Sequence, residues 1–210
     1  MANEDRTTRK ENTMPAPSNG FDPKRTALLV MDFQSGIVGR LDEPDELIGR
    51  VRDAIADVRA HEGVIGYVRV AFTDDDYATV PATNVTFSAA AESRAMGDDD
   101  PSTAIVDALA PQQGDIVVRK VRIGAMSTTD LDQRLRARGV NTVVLAGVST
   151  SGVVLSTVID AADRDYRVYV LSDGVADFDT DVHDLLLNKV FGRRATVIDS
   201  AELHNMLAKA

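Results

Sequence analysis

The chain has 210 residues, a hydrophobic content of 44% and a formal net charge of −10 at pH 7. A chain of this size can bury a large core and most often forms one domain. The negative charge argues against a nucleic-acid partner, because binding to phosphate backbones depends on clustered Lys and Arg. No apolar run approaches the ~20 residues that cross a bilayer, and no segment resembles a secretory signal. We therefore predict a cytoplasmic protein with neither a nucleic-acid nor a membrane partner.

The first twenty residues differ in composition from the rest of the chain. They are polar, mixed in charge and contain almost nothing to bury, which is typical of a flexible terminus. We predict a tail over residues 1–20 and a single domain over residues 21–210.

Short apolar runs alternate with helical patterns after residue 21. Strands are predicted at residues 27–31, 64–70, 116–120, 142–147, 167–171 and 195–198, and helices at 45–61, 129–138, 151–165, 181–189 and 200–208. Alternating strands and crossover helices predict a six-stranded parallel sheet in a three-layer α/β/α, Rossmann-like fold. In the helix at 151–165, a stripe at i, i+3, i+4 and i+7 is expected to pack on the sheet: Leu155, Val158, Ile159 and Ala162.

Three features follow the carboxyl ends of predicted strands: Asp32, Lys120 and the turn at residues 148–153. Ligands of open parallel sheets bind outside these ends, so the three features can converge on one pocket. Each also has a plainer interpretation. Asp32 can accept hydrogen bonds within a turn, Lys120 can be exposed beside Arg119 and Arg122, and the hydroxyls of the turn can cap a helix. Their joint occurrence favours a shared site.

Three segments carry a resemblance to a known family, namely TALLVMDFQ, DIVVRKVRIGAMSTTDLDQRLRARGV and TVVLAGVSTSGVVLSTVIDAADRD. In order and spacing the chain resembles the isochorismatase-like cysteine hydrolases over roughly residues 26–203. The resemblance implies that Asp32 and Lys120 are two members of the family's Asp-Lys-Cys triad. It places Val153 at the position of the nucleophilic cysteine, and the chain contains no cysteine. No thiol can therefore take part in its chemistry.

The same resemblance implies further features of the site. It predicts a cis peptide between Val148 and Ser149 and backbone N–H groups near position 153 that can bind an anion. It also implies a set of substrate-binding residues: Phe33, Gln34, Arg122, Val148, Ser149 and Gly152. The hydroxyl groups of the turn are nucleophile candidates, but the sequence places no histidine to activate them.

We expect no metal and no cofactor. The three histidines, His61, His183 and His204, all fall within predicted helices. Metal-containing members of the superfamily carry histidines after their first helix, and this chain does not resemble them there. The acidic runs at residues 74–76 and 98–100 lack the spaced ligands and turn glycine of a calcium loop. The long irregular segment at residues 71–103 is expected to shape a substrate pocket.

The sequence is compatible with three functions. The first is acid–base hydrolysis of a small carboxylate-bearing substrate such as a vinyl ether, with Asp32 as the proton donor and Lys120 holding the substrate carboxylate or orienting Asp32. The second is an amide or ester hydrolase that uses water activated by Asp32. The third is a non-catalytic member that binds a small acid.

We also predict a homodimer or homotetramer from the resemblance. The last helices carry apolar residues that could pack against a partner or within the chain's own core: Leu185, Leu186, Val190 and Phe191. The sequence does not choose between these two arrangements.

Overall fold

The structure is a computed structural model that describes residues 21–210. The tail predicted at residues 1–20 lies outside the described residues. Six strands form one sheet in the order β3-β2-β1-β4-β5-β6, and every neighbouring pair is parallel. The strands are β1 (Thr26–Met31), β2 (Val64–Val70), β3 (Ile116–Lys120), β4 (Thr142–Val148), β5 (Arg167–Ala176) and β6 (Thr196–Ile198). This arrangement confirms the predicted fold class.

The two central strands are apolar because both faces of the sheet are covered. Every residue of β1 and β4 is buried, as expected for parallel strands between two helical layers. Successive side chains of β1 enter opposite cores: Ala27, Leu29 and Met31 pack in one, and Leu28 and Val30 in the other. The sequence therefore shows a continuous apolar run here instead of an alternating one.

Eight α-helices surround the sheet in the described part of the chain. They are α1 (Ser35–Val38), α2 (Pro44–Ala60), α3 (Asp74–Tyr77), α4 (Ser88–Ser93), α5 (Leu131–Ala137), α6 (Leu155–Asp163), α7 (Thr180–Leu185) and α8 (Ser200–Ala208). Residues of α2 and α8 contribute to one core, and residues of α5 and α6 to the other. Within residues 21–210, none of the helices is both long and apolar enough to cross a membrane.

The helix predicted at residues 151–165 begins differently from the prediction. A π-helical turn (Thr150–Val154) precedes α6, and the predicted buried stripe is wrong in part. Ile159 is 42% exposed, whereas Val154, Val158 and Ala161 are buried. Thr157 can join them because its hydroxyl donates to the Val153 carbonyl at 2.6 Å, which satisfies its polar group.

The apolar residues near the C-terminus divide between the core and the surface. Leu186 and Phe191 are buried in the core and Val190 packs against it, but Leu185 is 55% exposed. The chain's own core thus accounts for three of the four residues. The predicted oligomer stays a prediction.

The strand order reverses direction between β1 and β4, since β2 and β3 lie on one side of β1 and β5 and β6 lie beyond β4. Ligands of open α/β sheets bind at such a switch point, outside the carboxyl ends of the strands. Asp32 follows β1 and the turn at residues 148–153 begins at the end of β4. The topology thus places two of the three predicted features at this switch point.

Candidate active site

Asp32 lies in an uncommon backbone conformation directly after β1. Its φ angle is 60°, a left-handed conformation that Asp and Asn tolerate better than most residues. Its N–H donates to the Val68 carbonyl at 2.8 Å, which holds the residue at the carboxyl end of the central strand β1. The side chain is nearly fully buried, so its carboxyl group depends on protein contacts more than on water.

Lys120 reaches Asp32 across an intervening strand. It ends β3, and β2 separates β3 from β1, a span of roughly 10 Å for a strand spacing of ~4.8 Å. The long side chain crosses this span and places Nζ 2.7 Å from Asp32 Oδ2. Nζ also donates to the Ile123 carbonyl at 2.6 Å. Lys120 is 2% exposed, so the solvated strand end considered from the sequence is not what the structure shows.

The two oxygens of the Asp32 carboxyl group have different surroundings. Oδ2 contacts Lys120, whereas Oδ1 is buried and has no hydrogen-bond partner among the described residues. Burial raises the pKa of Asp32 to about 6, and the neighbouring Lys120 ammonium opposes this rise without cancelling it. The carboxyl group is therefore partly protonated near neutral pH, and Oδ1 is left without a hydrogen-bond partner from the described residues.

A cavity of about 210 Å³ opens onto this pair. Asp32 and Lys120 form its buried floor, and the exposed side chains of Arg40 and Phe178 form its rim. The walls between them are mostly apolar: Ile37, Val70, Phe87, Met96 and Ile123. Phe87 and Met96 belong to the 71–103 segment, and both line this cavity. A ligand in this cavity meets one ion pair at the floor and one guanidinium at the rim.

The turn after β4 forms the remaining wall. The Val148–Ser149 peptide is cis, and Val148, Ser149, Gly152 and Val153 line the cavity. Ser149 Oγ accepts from the Gly152 N–H at 3.1 Å, and a Cβ at Gly152 would lie 2.8 Å from that oxygen. A side chain at this position would therefore press on the Ser149 hydroxyl group that accepts this hydrogen bond.

Two N–H groups of this turn already have protein acceptors. The Ser151 N–H donates to Asp177 Oδ2 at 2.6 Å, and the Gly152 N–H donates to Ser149. Side chains therefore compete with any anion for these two donors. The apolar Val153 side chain, which is 2% exposed, occupies the cavity wall beside them.

Three predicted substrate-binding residues do not line the cavity. Phe33 is buried in the core. Gln34 binds backbone groups through its whole amide, since Oε1 accepts from the Val70 N–H at 2.7 Å and Nε2 donates to the Val70 and Thr103 carbonyls. Arg122 donates to the carbonyls of Val121 and Thr79. Gln34 thus supports the cavity wall at Val70 instead of facing a ligand.

The structure also brings a histidine to the turn, which the sequence did not predict. Thr150 Oγ1 lies 2.9 Å from Nδ1 of His183 on α7. Thr150 is fully buried and does not line the cavity, so this contact joins α7 to the turn without presenting a nucleophile to a ligand. Within residues 21–210, no group of three or more His, Asp or Glu side chains is arranged to hold a metal ion.

An Asp–Lys pair thus lies at the carboxyl ends of a parallel sheet that helices cover on both faces. The sequence model of the isochorismatase domain matches residues 26–202, and the chain therefore belongs to the isochorismatase family. Most of the described fold, including every strand, lies within this match.

Similar proteins agree with this assignment. The isochorismatase family protein YwoC of Bacillus subtilis is 34% identical over 177 residues, which cover 82% of this chain and 89% of that protein. A cysteine hydrolase of Pseudomonas syringae superposes with a TM-score of 0.83 at 25% identity and covers 93% of this chain and 99% of its own. An N-carbamoylsarcosine amidase of Thermoplasma acidophilum gives a TM-score of 0.70 at 29% identity, with coverage of 84% and 96%.

Proposed function

We propose that this chain is a hydrolase that acts without a thiol, with Asp32 as the proton donor to a small carboxylate-bearing substrate such as a vinyl ether. The observation that carries the proposal is the Asp32 carboxyl group itself. One of its oxygens contacts Lys120, and the other is buried without a partner at the floor of the cavity. A protonated carboxyl group at this position can donate its proton to a substrate atom held against it.

The proposed reaction needs no protein nucleophile. Protonated Asp32 gives its proton to the terminal carbon of the enol ether, and the C=C electron pair forms the new C–H bond. The resulting oxocarbenium ion adds water at its carbon atom, and the water's surplus proton returns to the Asp32 carboxylate. The hemiketal then collapses to an alcohol and a carbonyl compound, so one vinyl ether and one water give two products.

Lys120 affects this chemistry in two opposing ways. Its ammonium lowers the pKa of Asp32, which disfavours proton donation, whereas burial of Asp32 raises the pKa. Burial is the larger influence, which leaves the pKa at about 6. This balance supports a carboxyl group that can donate a proton near neutral pH and stays oriented by its contact with Lys120.

An amide or ester hydrolase is the second candidate, and the similarity to an N-carbamoylsarcosine amidase favours it. In that reaction ionised Asp32 would activate water. The ionised form of Asp32 predominates above pH 6, because its pKa is about 6. Without a covalent intermediate, the single hydrolytic step would be slow. A non-catalytic member that binds a small acid in the same cavity is the third candidate. The predicted homo-oligomer and cytoplasmic location are compatible with all three.

A substrate panel separates the three candidates. The purified protein is incubated with isochorismate and other small enol ethers, with small amides and with esters. Vinyl-ether cleavage of isochorismate releases pyruvate, amide hydrolysis releases ammonia, and a binding protein releases neither. The proposal expects that an enol ether is cleaved to a carbonyl compound and that thiol alkylators do not change the rate. Ammonia release alone would favour the second candidate, and no turnover would favour the third.

The proposed position of the family nucleophile can be tested with Val153→Cys. The new thiol would line the same cavity as Lys120, at the start of a helix. Both features favour the thiolate, so its pKa should fall below the usual ~8.5. The measurement is the pH dependence of alkylation by iodoacetamide. The chain has no other cysteine, so each single-cysteine variant reports on one thiol.

Val85→Cys is the matched control, because Val85 is 96% exposed. We expect the thiol at position 153 to titrate at lower pH than the thiol at position 85 and to react faster at neutral pH. If the Val153→Cys variant folds and the pKa of its thiol equals or exceeds the pKa of the Val85→Cys thiol, the assignment of position 153 is wrong.

A further inference from the structure

We infer that Arg40, and not Lys120, holds the substrate carboxylate, and that Phe178 positions the Arg40 guanidinium. This inference rests on the proposed function for the identity of the cavity as the substrate site. It divides the work of the two cations in the cavity: Lys120 acts on Asp32 at the floor, and Arg40 selects a carboxylate at the rim.

Lys120 is poorly placed to bind a substrate carboxylate. Two of its three N–H bonds are directed at Asp32 Oδ2 and the Ile123 carbonyl, and its side chain is 2% exposed. A carboxylate drawn to Nζ would also lie next to the Asp32 carboxyl group. It would compete with Asp32 Oδ2 for the ammonium group and so weaken the contact that orients Asp32.

Arg40 has the opposite properties. Its side chain is exposed and lines the cavity, and no carboxylate among the described residues forms an ion pair with it. Its guanidinium carbon lies 4.6 Å from the centroid of the Phe178 ring, a distance at which a cation is attracted to an aromatic face. The planar guanidinium can donate two parallel hydrogen bonds to a carboxylate, which an ammonium group cannot do.

The two acidic groups that flank Phe178 form hydrogen bonds with backbone donors and no ion pair with Arg40. Asp177 precedes Phe178, but its Oδ2 accepts from the Ser151 N–H and its Oδ1 accepts from the Phe178 and Asp179 N–H groups. Asp179 Oδ1 caps α7 by accepting from the Val182 N–H. Both carboxylates are thus engaged with backbone donors, and Arg40 is the cation available to a ligand at the rim.

The arrangement defines a substrate class. A ligand that contacts both ends of the cavity carries its carboxylate at the rim and its reacting bond at Asp32, with an apolar body between them. The aromatic side chains of Phe87 and Phe178 favour a flat body. We therefore expect a small unsaturated or ring-containing acid whose carboxylate lies at the end opposite the reacting bond.

Binding of benzoate and benzamide tests this assignment without requiring turnover. The two probes share a flat ring and differ in charge. We expect Arg40→Met to weaken benzoate binding roughly 10–100-fold, as for loss of a charge-assisted contact, and to change benzamide binding less than twofold. Phe178→Leu should weaken benzoate binding relative to benzamide binding by roughly 2–5-fold, the change in affinity expected for loss of an exposed cation–π contact. Dissociation constants are measured by titration calorimetry or ligand NMR.

Arg50→Met is the matched control, because Arg50 is on α2, pairs with Glu46 and does not line the cavity. It removes the same charge and should leave both probes unaffected. Unchanged benzoate binding in Arg40→Met would overturn the inference, as would equal weakening of both probes or no benzoate binding to the unmodified protein. If benzoate binding depends on Arg40 but the substrate panel shows no turnover, the proposed hydrolysis fails and the carboxylate site stands.

Discussion

Asp32→Asn is expected to lower turnover of the best enol-ether substrate by roughly 10²–10⁴-fold, the usual contribution of a general acid or base. The amide has nearly the same shape as the acid but cannot donate a proton of comparable acidity. Asparagine also tolerates the left-handed conformation at this position, where φ is 60°. The backbone at the end of β1 should therefore be preserved. The measurement is kcat and KM for each variant on the same substrate.

Asp53→Asn provides a control for this experiment, because Asp53 is exposed on α2 and pairs with Arg52. It should have unchanged kinetics. Because Asp32→Asn removes the carboxylate that contacts buried Lys120, a urea unfolding curve must show that the variant is folded under assay conditions. A folded Asp32→Asn variant with near-native turnover would mean that Asp32 is structural and only caps its turn.

Lys120→Met is expected to reduce the free energy of unfolding by about 3–5 kcal/mol at pH 8, because it leaves an ionised carboxylate buried without its partner. The effect should be smaller at pH 5. The pKa of Asp32 is already raised to about 6, chiefly by burial, and removing Lys120 removes the opposing influence. The pKa should then rise further, so that Asp32 is neutral at pH 5 and needs no partner.

The sign of this pH dependence follows from proton linkage. A carboxyl group whose pKa is higher in the folded state binds more protons when folded, so it favours folding at low pH and loses that contribution as pH rises through the folded pKa. The double variant Asp32→Asn/Lys120→Met removes both charges and should recover most of the lost stability at pH 8. Urea unfolding at the two pH values measures all of these differences. Equal losses at pH 5 and pH 8 for Lys120→Met would contradict the pKa assignment of Asp32.

The sequence was sufficient to predict the parallel sheet. Parallel strands buried on both faces produce continuous apolar runs. These runs locate the strands closely except for β5, which continues past the predicted end at residue 171 to Ala176. The predicted strand ends place Asp32 directly after β1 and Lys120 at the end of β3. Their contact across β2 depends on strand order, which a local pattern does not contain, and only the resemblance to the family paired them beforehand.

The rim and the supporting contacts needed the structure. Arg40 and Phe178 are 138 positions apart in the chain, and no periodic pattern connects them. The resemblance to the family predicted that Gln34 binds substrate, but its amide completes backbone hydrogen bonds of Val70 and Thr103. The stripe of α6 was misplaced because the π-helical turn and the buried Thr157 change which residues face the sheet. Local apolar periodicity does not record either feature.

The pH dependence of kcat/KM tests the central claim most directly, because it reports the ionisation of the free enzyme. With Asp32 as the proton donor, and with its pKa raised to about 6 by burial, kcat/KM for an enol ether should be constant at lower pH and fall roughly tenfold per pH unit above pH 6. The small residual activity of Asp32→Asn should lack this decrease. A rate that rises through pH 6, or a decrease that persists unchanged in Asp32→Asn, would contradict proton donation by Asp32.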